Sequence, residues 1–227
     1  MALLQINVGA EAAAETVTRT ETLSIFDLFM GGGLYIMIPL VALSIIAVYI
    51  FIERYLAIQK ASKGDKNFMN NIRDFIHDGK IDSAKSLCRS TEQPSARMIE
   101  KGIARIGKPL NDISVAIENV GKLEVYKLEK SLATLATVAG AAPMIGFLGT
   151  VIGMIVTFHE MKISGNSVEI SQLSGGIMQA MVTTVAGLVV GILAYIGYNL
   201  LVAKVEKVVY KLEVTSIEFM DLLQEPV

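Results

Sequence analysis

Three uncharged runs divide the chain. Leu34 to Ile52 is 19 residues long without a charge, enough to cross a hydrocarbon core as a helix. Pro39 near its start is tolerable because a helix's first turn has unused N–H groups. Ser131 to Phe158 and Ile170 to Ala203 are longer still. Between these two, His159 to Glu169 carries Glu160, Lys162, Gly165, Asn166 and Glu169, a short polar stretch that predicts a tight hairpin between antiparallel spans. Ahead of the first span, Glu21 to Met30 puts Leu23, Phe26 and Met30 on one face. It is backed by Gly31, Gly32 and Gly33 and predicts a short interfacial helix or an extension of the first span.

Outside the runs, apolar residues recur every three or four positions over Asn67–Asp78, Asp82–Ser90 and Ser95–Ile106, punctuated by Gly79, Pro94 and Gly107–Pro109. From Asp112 to Lys130 the same period continues into the second run with no breaker but Gly121, and after the third run Val205, Val208, Val209, Leu212, Ile217 and Leu222 extend it. The expectation is an all-α membrane protein with three transmembrane helices, the second and third reaching far beyond the bilayer as helices of ~45 residues and ~70 Å. Helices that long need partners along their length, hence an oligomeric bundle. The predicted organisation is an outer N-terminal segment 1–33, spans 34–52, 131–158 and 170–203, a helical loop 53–130, a hairpin 159–169 and a C-terminal helix 204–227.

Charge fixes the expected orientation. Of twenty Lys and Arg, fifteen lie between Glu53 and Lys130 and three follow the third span, against Arg19 before the first and Lys162 in the hairpin. Several flank the span ends, as the positive-inside rule requires, so loop and C-terminus are expected in the cytoplasm, with the N-terminus and hairpin outside. Glu53 and Arg54 then mark the membrane boundary. A composition 52% hydrophobic and 19% charged, with net charge −2, suits lipid contact and offers no basic patch for nucleic acid. Cys88, the single cysteine, allows no intrachain disulfide.

Inside the spans, Ala142, Gly146, Thr150, Gly153 and Thr157 form one stripe of small and hydroxyl side chains, and Ala180, Thr184, Gly187 and Gly191 form another. Gly149-x-x-x-Gly153 and Gly187-x-x-x-Gly191 permit close helix approach, and packing alone would explain both. Neither of the two later runs contains Asp, Glu, Lys, Arg or His. A proton path needs a titratable group at membrane depth, so a partner would have to bring it.

The run Ala142-Pro143-Met144-Ile145-Gly146-Phe147-Leu148-Gly149-Thr150-Val151-Ile152-Gly153 resembles the second-helix signature of the MotA/TolQ/ExbB proton-channel family. Gly176 through Gly187, ending at Tyr198-Asn199, is similar to its third helix, and Glu53-Arg54 also matches. Three spans rather than four favour the ExbB and TolQ branches over MotA, ExbB first. The resemblance implies a homopentamer around a central pore and an ExbD- or TolR-like single-span partner that supplies an aspartate. A TonB- or TolA-like protein would be driven by the assembly, which is expected in a bacterial inner membrane. It also implies that Thr150 and Thr184, with neighbouring Thr183, flank the ion path, and that Pro143, Gly146, Gly149, Gly153, Gly187 and Gly191 pack the helices. Many relatives carry Glu one turn before the third-helix threonine, where this chain has Gln179. A TolQ-like role and a non-conducting scaffold are the alternatives.

Other patterns are weaker. Gly102 to Lys108 has phosphate-loop spacing but continues with Pro109 and follows a helical pattern, so it reads as a helix end. His159-Glu160 lacks the second histidine of a zinc-protease motif, Ile163 standing there. No enzyme activity, cofactor or metal is expected.

Overall fold

The computed structural model describes residues 33–63, 67–164 and 170–224. Seven helices occupy these residues and no strand does: α1 Leu34–Ser62, α2 Phe68–His77, α3 Ile81–Ser90, α4 Pro94–Ile103, α5 Leu110–Glu129, α6 Leu132–Ser164 and α7 Ile170–Leu222. Three of the apolar segments, in α1, α6 and α7, are long and apolar enough to cross a membrane. The expected interfacial helix at Glu21–Met30 lies outside the described residues, as does part of the expected hairpin; α6 runs on to Ser164, through most of that hairpin.

Each membrane-length helix is uncharged where it is apolar all round, and α1 and α7 become one-sided beyond that point. α1 continues ten residues past Ile52. Pro39 falls in its second turn rather than its first, past the unused N–H groups, so the Tyr35 carbonyl lacks its helical donor. α7 is one unbroken helix of 53 residues. The short helices α2, α3 and α4 have strongly segregated apolar faces, as helices must when water covers one side. Gly79 and Gly107, at φ of 70° and 93°, turn the chain out of α2 and α4 in the left-handed region that glycine enters without strain. Pro94 opens α4, where its missing N–H costs nothing.

α6 and α7 pack along much of their length as an antiparallel pair, and α1 lies against both. Beyond the membrane-length segments, α4 and α5 pack on the distal half of α7. Ile58, Ile72, Ile99, Ile103, Ile117, Val208 and Phe219 are fully buried there. A smaller apolar cluster, Met37, Leu40 and Ala142, joins α1 to α6.

One expectation needs correction. The periodic run over Asp112–Lys130 does not pass unbroken into the second span, because the chain leaves the helical region at Lys130 (φ −50°, ψ 135°) and Ser131 (φ 67°). The extension therefore exists as a separate 20-residue helix, α5. Arg54 explains how the break is held. The Lys127 carbonyl would take the Ser131 N–H in a continuous helix, but here Arg54 Nη1 donates to it at 3.0 Å. Arg54 is only 9% exposed, and its other amino nitrogen pairs with Glu53. It is thus a cap on α5 as well as a residue at the edge of the apolar zone.

Candidate functional site

The small residues of α6 and α7 face each other within one chain. A Cβ added to Gly187 would stand 2.6 Å from the Ala142 carbonyl oxygen and 2.9 Å from Gly146 Cα. One added to Gly146 would meet the Thr183 carbonyl at 2.8 Å, and one on Gly153 would meet Ala180 Cβ at 2.9 Å. Gly149 abuts Thr183 and also Ile36 of α1. Gly191 receives the ring of Pro143. That proline leaves the Ala139 carbonyl without its helical donor, and the same carbonyl lies 3.1 Å from where a Gly191 Cβ would be. The predicted packing residues, Pro143 included, thus close a single α6–α7 interface.

This approach sets the hydroxyls. The Thr184 Oγ1 donates to the Gly146 carbonyl at 3.1 Å and lies 3.5 Å from Thr150 Oγ1. Thr150 donates to the Phe147 carbonyl at 2.6 Å. Both threonines are half-buried, so their hydroxyls stand side by side at the margin of the α6–α7 seam. Thr183 lies deeper in the seam, near the same Gly146 carbonyl. It is 2% exposed, donates to Ala180 at 2.6 Å and lies 3.3 Å from the Gly146 carbonyl. The structure therefore brings Thr150 and Thr184 together and encloses Thr183 between the helices. Thr157 is buried and donates to the Gly153 carbonyl at 2.9 Å, the self-bonding that an isolated intrahelical threonine adopts. Gln179 is exposed on α7 one turn before Thr183, and its amide lies 3.0 Å from where a Gly33 Cβ would be.

A hydroxyl has one donor and two acceptor positions. The Thr150–Thr184 pair can accept from a protonated carboxyl or a water as it stands, and can donate to an ionised carboxylate by turning its protons away from the Phe147 and Gly146 carbonyls. It sits in a wall with no charged side chain of its own.

Where the apolar zone ends, a charged set appears that sequence patterns only partly announced. Glu124 is 4% exposed. Its two oxygens pair with Lys127 Nζ at 2.6 Å and Arg97 Nη1 at 2.7 Å. The Lys127 partner follows from spacing on one helix face, whereas Arg97 comes from α4 and had no signal in the sequence. No group of three or more His, Cys, Asp or Glu side chains that could hold a metal occurs among the described residues. Gly102, from the loop-like Gly102–Lys108 run, lies in α4 under Phe219 and Ile117, and His159 and Glu160 are within α6.

Residues 90–214, more than half of the chain, match the model of the MotA/TolQ/ExbB proton channel family. The chain is 26% identical over 171 residues to a putative biopolymer transport protein ExbB-like 3 of Synechocystis, covering 75% of this chain and 81% of that one. It is 40% identical over 96 residues to the biopolymer transport protein ExbB of Aquifex aeolicus, covering 41% and 64%. With the Neisseria meningitidis ExbB it shares 25% over 183 residues, 74% and 80% of the two. The match takes in α5, α6, the seam with its hydroxyl pair and most of α7, and the chain belongs to the MotA/TolQ/ExbB proton channel family.

Proposed function

We propose that this chain is an ExbB-like stator subunit of a motor driven by proton-motive force in a bacterial inner membrane. Copies of it, five by family resemblance, form a ring whose inner wall carries the Thr150–Thr184 pair. The wall encloses an ExbD- or TolR-like single-span subunit, and that partner supplies the membrane-depth carboxylate this chain lacks. The loop, α5 and the end of α7 lie in the cytoplasm, following the distribution of Lys and Arg. The machine acts through a TonB- or TolA-like protein to energise transport at the outer membrane.

The observation that carries this reading is the hydroxyl pair, 3.5 Å apart in an otherwise uncharged seam. A neutral carboxyl can move along an apolar wall, whereas an ionised one is held where hydroxyls solvate it. Each charge that crosses releases about 2.3 kcal/mol per 100 mV, and alternation between the two states turns that into motion of ring against partner. Thr183 supports the pair from behind. The Gly146, Gly153 and Gly187 contacts are used inside one chain, so these glycines hold the pair in place.

The test is proton flux in liposomes with and without the single-span partner. Flux is expected to require the partner. Thr150→Val or Thr184→Val should lower it about tenfold or more, the loss expected when a hydrogen bond of ~1.5 kcal/mol to a charged group is removed. Full flux from both variants, in normally assembled complexes, would return the chain to the scaffold reading.

A further inference from the structure

Away from the hydroxyl pair, an apolar groove of about 330 Å³ opens between α1 and α7 over α6. Val48 and Phe51 form one wall, Leu193 and Leu200 the other, and Leu135 the floor. The two walls meet at Gly197, where a Cβ would stand 3.0 Å from the Phe51 ring. Both walls continue one turn further to polar ends. Phe51 leads to Tyr55, their ring centroids 6.0 Å apart. Gly197 and Leu200 lead along the same face of α7 to Lys204, whose ammonium lies 4.2 Å over the Tyr55 ring. Lys204 has no carboxylate within ion-pair distance among the described residues. It is also the first charge after the third span.

We propose that this groove is a seat for one anionic phospholipid, its acyl chain against Val48, Phe51 and Leu200 and its phosphate at Lys204. An apolar slot inside the bilayer selects for a hydrocarbon chain. A single cation fixed at its mouth, at headgroup depth, selects for negative charge, as basic pockets between membrane helices do. Tyr55 holds the ammonium in place from one side by cation–π attraction and leaves the other side to the phosphate. The inference rests on the proposed orientation only in that it puts this lipid in the inner leaflet.

The chain contains no tryptophan, so a single introduced one reports its own surroundings. Val48→Trp places the reporter in the groove. Tyr49→Trp, at the neighbouring exposed position that does not line the groove, places it toward bulk lipid at the same depth. The full-length oligomer would be reconstituted with brominated phosphatidylglycerol or brominated phosphatidylcholine and its fluorescence quenching compared. The expected result is about fivefold preference for the anionic lipid at Val48→Trp, the preference one lysine gives at an anionic surface, and none at Tyr49→Trp. Lys204→Gln should abolish the preference and Lys204→Arg should retain it. Equal preference at both positions, or a preference indifferent to Lys204, would reduce the groove to ordinary lipid contact and overturn the proposal. So would a Val48→Trp reporter shielded from both lipids, which would mean that a neighbouring copy fills the groove. The readout does not involve flux, so failure of the ion-path reading and failure of this one are separable.

Discussion

Single residues in this chain divide by whether anything occupies the space beside them. At Gly187 the Ala142 carbonyl and the Gly146 backbone stand where a methyl group would go. Gly187→Ala should therefore separate α6 from α7 and lower stability by about 1–3 kcal/mol, the usual cost of overpacking, read as a fall in thermal midpoint in detergent. At Gly140 nothing lies within 4 Å, and Gly140→Ala should be neutral or raise stability by up to about 1 kcal/mol through helix propensity. The four-residue spacing of small side chains announced the seam. What spacing did not separate was Thr183 from Thr184, neighbours about 100° apart on one helix. Only the position of α6 decides that Thr183 is enclosed while Thr184 meets Thr150. Cys88 is another residue whose state depends on surroundings far away in sequence. Burial, with a smaller contribution from the Glu100 charge, pushes its thiol from an ordinary 9.0 up to about 12. The thiol thus stays protonated through the range where the unfolded chain ionises. It should resist maleimide at pH 8 in the folded protein and react at once in denaturant, and its contribution to stability should fall as pH rises from about 9 toward 12.

At the scale of elements, the uncharged runs and three-to-four-residue periodicity were enough to find the helices, and α2, α3 and α4 start and stop within a few residues of their Gly and Pro signals. The break between α5 and α6 was not legible, because Glu129-Lys130-Ser131-Leu132 contains no glycine or proline. It depends on Arg54, 73 residues away from the Lys127 carbonyl it binds. A serine at φ 67° carries a cost of about 1–2 kcal/mol that glycine would not. Ser131→Gly should accordingly raise the thermal midpoint and Ser131→Val lower it. Arg54→Met should uncap α5 and cost about 1.5–3 kcal/mol, the value of a hydrogen bond to a charged group. Faster amide exchange over the last turn of α5 would locate that loss.

Over the whole molecule, the balance between covered and open apolar surface carries the clearest message. Only 22–28% of each membrane-length window is buried within the chain, as expected where lipid takes the place of a core. Apolar side chains are also open well away from those windows: Tyr126 is 73%, Tyr210 67% and Ile217 61% exposed. In the proposed ring these side chains would lie against neighbouring copies. The full-length chain, extracted in mild detergent, should have a native mass that is a multiple of 24.5 kDa, and charged substitutions at Tyr126 and Tyr210 should shift it toward the single chain.

The uninterrupted length of α7 has a mechanical consequence. At 1.5 Å per residue its 53 residues form a shaft of ~80 Å, with Thr184 near one end and Phe219 under Gly102 near the other. In the proposed motor a tilt of this shaft beside the hydroxyl pair would carry to its far end through one continuous helix. The parallel route through α6 and α5 is interrupted at Ser131, so the proposed movement would leave the membrane along α7.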